Sequence, residues 1–394
     1  MRIGADSARI EGGRDSPADS MRSTMTTLHG HVDDTLRPLL AEFEQALATD
    51  PDLSFQVAAL HRGRPVLDAW GGPHLGEDSV NVPYSVTKNT IGLVVGLLVQ
   101  RGALDLDRAV ADYWPEFAAK GKGAVTVRQL LSHQSGLPQS ETPATAADLL
   151  DHHRAADLLA ASRPLWAPGS GFGYHALTIG SLADELVFRT TGRTLHEVYE
   201  QEIREPFDVD FFLGLPADQE GRLAPVLPVL GGPVGGAAPD PTSWIGQVMR
   251  IPGEQVDLAN DPRSYRYGHP AASGTGSARG IARLLAATVT GVDGREPLLD
   301  AETVRIIGQQ QVRGYDQVLG QESRAHAIVF QKPTSAMPFG GPWSFGHDGA
   351  RGALAVVDPS VGLAFAYTVA RGPWPGGADA RAVRLAAGLG RSLD

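Results

Sequence analysis

The spacing of apolar positions predicts helices through the middle of the chain and strands near both ends. From about Thr26, apolar residues at Val32, Leu36, Leu39, Leu40, Phe43 and Leu47 recur at helical spacing and stop before Asp50-Pro51. Two short runs then read as strands, Phe55–His61 and residues 65–70, with Arg62-Gly63-Arg64 as the turn between them. A further helix is predicted from Ser85 to about Arg101, where Gly102 supplies a C-terminal stop.

From about Leu104 to Ala287 the pattern is mostly helix and loop. Residues 126–133 predict a helix ending at Ser135-Gly136-Leu137-Pro138, and residues 146–162, 176–191 and 195–203 predict three more. Residues 227–243 are dense in Gly and Pro and predict a long loop, a kind of segment that is often functional. Strands return at 325–331 and 353–357, the latter pairing with Leu363–Val369 across Asp358-Pro359-Ser360-Val361-Gly362, and a last helix covers about 378–393. Strands near both ends with a helical middle predict one α/β region built from both termini (26–103 and 320–394), carrying an inserted, mainly helical region at 104–319. Residues 1–25 mix Gly, Ser, Asp and Arg and read as a disordered tail, or as sequence upstream of a start at Met21 or Met25.

Composition narrows the classes of partner. Hydrophobic residues at 42% and charged residues at 20% are ordinary for a soluble globular protein. A net charge of −11 argues against a nucleic-acid or anionic-membrane partner, either of which calls for a basic patch. The absence of cysteine excludes disulfides and thiolate metal sites. No apolar signal region opens the chain, and the longest apolar run, residues 91–99, is far short of a membrane span. A cytoplasmic protein is expected.

One local pairing carries chemistry. Only four of the 34 basic residues are Lys (88, 120, 122 and 332), yet Lys88 stands three residues after Ser85. With 22 serines in the chain, chance supplies only about 0.2 such pairs. Arg stays protonated, whereas a desolvated Lys can act as a base, so the pair reads as a nucleophile and its activator. At the first turn of a helix the two side chains share one face, and the free N–H groups there favour a developing oxyanion.

Two weaker features follow in order. A Gly-rich approach, Trp166-Ala167-Pro168-Gly169-Ser170-Gly171-Phe172-Gly173, leads to Tyr174-His175-Ala176 at a helix start. Phe345-Gly346-His347-Asp348-Gly349-Ala350 precedes the C-terminal hairpin. Together with Gln129–Pro138, Thr191–Leu195, Glu205-Pro206 with 211–216, and 271–278, these motifs resemble the serine β-lactamase and penicillin-binding-protein superfamily. The most similar branch is the class C β-lactamase-like one that includes family VIII carboxylesterases, and the resemblance runs from about Val32 to the C-terminus.

The resemblance implies an α+β, β-lactamase-like fold, with an antiparallel sheet flanked by helices, and an acyl-enzyme mechanism without a cofactor. Ser85 is then the nucleophile, and Lys88 and Tyr174 share the proton work, with the identity of the base left open. The backbone N–H groups of Ser85 and Ala350 form the implied oxyanion hole. His347, Gly349, His175 and Trp343 are the expected substrate-binding positions, and Trp244, Tyr265 and Tyr267 are further candidates to shape an acceptor pocket. Two departures bear on the substrate. Ala176 stands where β-lactamases of this type have Asn, and His347-Asp348-Gly349 replaces Lys-Thr-Gly. Without groups to hold a lactam's amide and carboxylate, the expected substrate is an ester-like small-molecule acyl donor. Hydrolysis and transfer to an amine or alcohol both remain open, the latter as in transacylases of secondary metabolism. A β-lactamase or D-alanyl peptidase is a further alternative.

A metal reading of His29-Gly30-His31-Val32-Asp33-Asp34 competes only weakly. The stretch leads directly into the predicted first helix, where Asp33 and Asp34 serve as first-turn acids, so no metal is expected.

Overall fold

The computed structural model describes residues 27–228, 240, 242–248, 255–373 and 376–394. Its strands of four or more residues are β1 (His29–Val32), β2 (Phe55–His61), β3 (Arg64–Gly71), β4 (Val312–Asp316), β5 (Gln321–His326), β6 (Phe345–Asp348), β7 (Leu354–Asp358) and β8 (Leu363–Val369). Six of them form one sheet in the order β1-β3-β2-β8-β7-β6, with every neighbouring pair antiparallel. The sheet therefore joins the two ends of the chain along β2 and β8, in register from Phe55↔Val369 to His61↔Leu363. β4 and β5 pair separately as a hairpin.

The helices, in chain order, are α1 (Ala41–Thr49), α2 (Lys88–Gln100), α3 (Val127–Leu131), α4 (Arg154–Ala161), α5 (Thr178–Thr191), α6 (Leu195–Tyr199), α7 (Trp244–Val248), α8 (Gln255–Asn260), α9 (Pro262–Tyr267), α10 (Ala278–Leu285), α11 (Ala301–Gly308) and α12 (Ala380–Leu393). Alternation along the strands divides them between two cores. Phe55, Val57, Val356, Phe365 and Tyr367 pack with Phe43 and Leu47 of α1 and Leu385 and Leu389 of α12. Each fully buried side chain of this size stabilises the fold by about 1.5–3 kcal/mol relative to exposure.

The opposite face presents mostly small residues, Ala58, Ala355, Ala364 and Ala366, towards the helical core that contains α2 and α10. Short side chains there let α10 lie close against β2 and β8. Residues 88–98 of α2 are all buried, so this helix has no solvent face and runs through the interior. Its Gly92 makes room for Phe330, whose ring would lie 2.3 Å from a Cβ at that position. No helix among the described residues is long and apolar enough to cross a membrane.

Three predicted elements differ from those observed. The first helix does not start near Thr26. His29–Val32 is an edge strand paired with β3, and the helical spacing is realised only from the 3-10 turn Arg37–Leu40, with Pro38 in its first turn. The predicted helix 146–162 breaks into the 3-10 turn Asp148–Leu150 and α4. Between them the Asp151 carboxylate accepts the N–H groups of His153 and Arg154 and restarts the helix. The strand expected at 325–331 lies earlier, as β5. The apolar run that follows is a buried turn in which Ala327 N–H donates to the Phe330 carbonyl and Val329 adopts a φ of 67°. Most of the predicted Gly/Pro loop, residues 229–239 and 241, lies outside the described residues.

Candidate active site

Tyr84, just before Ser85, has a φ of 51°, a left-handed conformation that non-Gly residues seldom adopt. It is held there by burial with Val80, Val82 and Phe212 and by a hydrogen bond with Arg351. Ser85 is the second residue of the 3-10 turn Tyr84–Thr87 that runs into α2, so its N–H belongs to the groups a helix start leaves without an intrahelical acceptor. One turn on, the Lys88 side chain is completely buried. Its Nζ lies 3.1 Å from Ser85 Oγ and donates to the carbonyls of Ala176 at 2.7 Å and Ala271 at 2.8 Å. Burial pulls the Lys88 pKa down to about 7, against the opposing pull of the nearby Asp348 charge.

Tyr174 arrives on a loop zipped to the segment after α3. Leu165, Gly169 and Gly173 donate their N–H groups to the carbonyls of Gly136, Gln134 and His133 respectively. The Tyr174 N–H donates to Asp316 Oδ1, a buried carboxylate that also accepts the N–H groups of Val318 and Leu319. So aimed, the Tyr174 hydroxyl donates to Ser85 Oγ at 2.9 Å. Burial raises its pKa far above the ordinary phenol value, Asp348 raises it further, and the bond to Ser85 offsets only part of this. The phenol therefore stays protonated at neutral pH.

The third motif closes on the first. A Cβ on Gly349 would fall 2.3 Å from the carbonyl oxygen of Pro83, so only glycine allows this close approach beside the serine. Asp348 lines the same cavity as Ser85, accepts a hydrogen bond from Gln331 Nε2 at 2.8 Å, and is 13% exposed. Burial alone would raise its pKa, but its contacts with His347 and Gln331 and the charge of Arg324 hold it well below the usual carboxylate range. Ala350 also lines the cavity, and its N–H makes no hydrogen bond to another described residue.

The cavity above Ser85 has a volume of about 670 Å³. Its walls are largely apolar, formed by Leu177, Ile245, Val248, Leu258, Val318, Leu319, Met337, Pro338 and Val383, with Arg324, Glu322 and Arg384 adding charge. The Arg324 guanidinium makes no hydrogen bond or close ion pair with another described residue; it acts on Tyr174 and Asp348 through its charge.

The structure thus brings Ser85, Lys88, Tyr174 and Ala350 together but places several expected substrate contacts elsewhere. The His175 ring is buried with every polar atom engaged: Nδ1 donates to the Gly173 carbonyl, and Nε2 bonds the Ser135 hydroxyl and the Leu137 N–H. It braces the Tyr174 loop and does not line the cavity. His347 is also fully buried, bonded through Nδ1 to the Asp348 carbonyl, so its neighbour Asp348 is the residue that reaches the cavity. Gly349 acts through its fit against Pro83. Trp343 is 57% exposed and borders a separate depression with Phe345 and Pro359. Trp244 stacks on Trp166 at 5.4 Å, and neither Trp244, Tyr265 nor Tyr267 lines the Ser85 cavity.

Sequence reasoning missed Asp348, Arg324 and the two carbonyls that hold Lys88. A charged residue beside the His-x-Gly turn could have signalled the first, whereas backbone carbonyls leave no trace in residue type. The metal reading of His29 to Asp34 gains nothing from the fold: His31, on the edge strand β1, and Asp33, just after it, form an exposed pair. Among the described residues one cluster has metal-ligand geometry, His152, Asp184 and His196, and it lies outside this cavity.

Comparison with known proteins fits this geometry. The profile of the Beta-lactamase family matches residues 43–389. The chain belongs to the Beta-lactamase family. Within it, Esterase/beta-lactamase LipL of Mycobacterium tuberculosis is 32% identical over 327 residues, spanning 77% of this chain and 74% of that protein. The structure of EstA from Arthrobacter nitroguajacolicus Rue61a superposes with a TM-score of 0.88 at 42% identity, covering 92% of this chain and 98% of EstA. A family VIII carboxylesterase superposes at 0.84 with 28% identity, covering 93% of this chain and all of that one. This Beta-lactamase family member is a serine hydrolase with a β-lactamase-like α+β fold.

Proposed function

We propose that this serine hydrolase is a carboxylesterase that forms an acyl-Ser85 intermediate, with Lys88 as the base for Ser85 and Tyr174 as the proton donor to the leaving group. The observation that carries this reading is the set of partners around Lys88 Nζ. A neutral amine has two N–H donors and one lone pair. Two carbonyls, of Ala176 and Ala271, take the donors, which leaves the lone pair facing the Ser85 hydroxyl. With a pKa of about 7, Lys88 is neutral in a large fraction of molecules at physiological pH.

In this scheme Ser85 Oγ attacks the ester carbonyl as its proton passes to Lys88 Nζ. The carbonyl oxygen becomes an oxyanion held by the N–H groups of Ser85 and Ala350. As the C–O bond breaks, the alkoxide takes a proton from the Tyr174 hydroxyl, which Lys88 reprotonates. Water then attacks the acyl-enzyme, returning the proton to the same group of residues and releasing the acid. Apolar walls favour an ester with an apolar acyl or alcohol portion. The carboxylate of Asp348, beside the position where lactamases of this type carry a cationic Lys, disfavours the carboxylate of a lactam.

A second reading, acyl transfer, rests on the same apolar walls, which can seat an alcohol acceptor where bulk water is partly excluded. One experiment tests both. Protein is mixed with a p-nitrophenyl ester, and intact mass is followed in buffer alone and with an added alcohol or amine. An adduct on Ser85 that clears in buffer supports the esterase; clearance only with the acceptor supports transfer. An adduct that persists in Ser85→Ala removes Ser85 as the nucleophile.

A further inference from the structure

Away from the Ser85 cavity, three segments bring His152, Asp184 and His196 together. One ligand-type atom from each lies within 4.8 Å of the other two. His152 precedes α4, Asp184 lies within α5, and His196 lies on α6. The Asp184 carboxylate is 2% exposed, with one oxygen accepting the Leu195 N–H at 2.7 Å and the other 2.7 Å from His152 Nδ1.

His196 decides what the cluster is built to hold. Its Nε2 lies 3.1 and 2.9 Å from the carbonyls of Tyr267 and Gly268. Carbonyls only accept, so Nε2 carries the proton and Nδ1 of the neutral ring presents a lone pair. That Nδ1 is buried and has no hydrogen-bond partner. A buried lone pair with no donor of its own, in a cluster with a buried carboxylate and a second imidazole, is unfavourable unless a cation joins them. Histidine ligands to metals characteristically donate their other N–H to a backbone carbonyl, which fixes the tautomer in this way. Asp151 and Glu197 add negative charge near His152.

We propose that His152, Asp184 and His196 form a binding site for one divalent transition ion of the zinc type. Two imidazoles and one carboxylate suit zinc, and the partly exposed side of His152 leaves a fourth position for water. On binding, His152 exchanges its hydrogen bond to Asp184 for a bond to the ion, and any proton on the ligating nitrogen leaves to solvent. The role is structural. The ion ties α5, α6 and the segment before α4 to the turn at Tyr267 and Gly268, three residues before the Ala271 carbonyl that holds Lys88.

The test titrates zinc sulfate into the full chain after chelator treatment, with calorimetry for stoichiometry and thermal unfolding for stability. Cobalt(II) in place of zinc reports coordination through its visible absorption. Expected are one ion per chain at micromolar affinity or tighter, a raised unfolding temperature and cobalt bands typical of four-coordination. His152→Gln, at a partly exposed position, and Asp184→Asn, which keeps an oxygen for the Leu195 N–H, should each weaken binding by about tenfold or more. His31→Ala, in the exposed pair on β1, should leave the affinity unchanged. The proposal is overturned if zinc does not bind, if it binds equally well to His152→Gln, or if His31→Ala removes it. In any of those cases His152 and Asp184 form an ion pair and nothing more. If Asp184→Asn fails to fold by circular dichroism, His152→Gln decides the question alone.

Discussion

Two lysines in this chain are fully buried and held by main-chain carbonyls, yet their surroundings differ in one atom. Lys122 Nζ donates to the carbonyls of Ala119, Ala160 and Ser162 at 2.7, 2.9 and 2.6 Å. Lys88 Nζ has two such carbonyls, and its third neighbour is the Ser85 hydroxyl. Burial lowers the pKa of both, to about 8 for Lys122 and about 7 for Lys88, so the pKa alone hardly separates them. The acceptor set does. Three carbonyls require three N–H donors, and loss of a proton would set a lone pair against an oxygen, so Lys122 is fixed as a structural cation. A hydroxyl can turn from acceptor to donor, and Lys88 can therefore give up its proton without stranding a neighbour. A buried lysine thus becomes a candidate base when one of its partners can reverse its role.

This comparison can be broken most directly at the serine. Ser85→Ala should lower kcat/KM for an activated ester by about 10⁴ or more and abolish the acyl adduct in intact mass. Lys88→Met should lower kcat/KM by about 10²–10⁴ with the fold retained by circular dichroism. Lys122→Met should do the reverse. It strands three buried carbonyls and lowers stability by about 3 kcal/mol in urea unfolding, while kcat/KM stays within about twofold. If Lys122→Met remains folded and loses turnover as Lys88→Met does, the distinction drawn from the acceptor sets fails.

Smaller effects sharpen the same contrast through pH. With Lys88 as the proposed base, which must be neutral to accept the Ser85 proton, kcat/KM should rise about tenfold per pH unit up to about pH 7 and level off above it. A flat profile across that range would remove Lys88 as the base. Burial also depresses the histidines around Tyr174: His175 falls to about 4, and His133, His326 and His347 fall below the ordinary 6.5. Between those values the unfolded chain binds more protons than the folded one. Stability is therefore fully present above about pH 6.5 and falls as the pH drops towards about 4. The slope is about 1.4 kcal/mol per pH unit for each such histidine. Unfolding in urea across this range would show no such slope if these rings were already charged in the folded protein.

Local signals in the chain made part of this legible. Ser85 and Lys88 are one helical turn apart, so their proximity follows from the helix alone. The strands β2, β3, β7 and β8 are visible through their length and punctuation, and a region built from both ends of the chain follows from strands lying near both termini. The polar environment was harder to see. The carbonyl of Ala271 reaches Lys88 from 183 positions away, and the carbonyl of Ala176 comes from the very position at which the missing Asn was noted. Residue type is silent about either. The resemblance points to His175 and His347 as substrate contacts, but burial and hydrogen bonding tie both to the framework. The run 325–331 was read as a strand because continuous apolar residues suit a buried turn as well as a buried strand.

The contact between Gly349 and the Pro83 carbonyl has a consequence for how the protein is made. A chain emerging from the ribosome presents Ser85 and Lys88 early, but Gly349, Ala350 and the β8 partner of β2 only near the end of synthesis. Until that late segment docks, Pro83 lacks the glycine that closes against its carbonyl, so the cavity shared by Ser85 and Ala350 is completed only when translation is nearly finished.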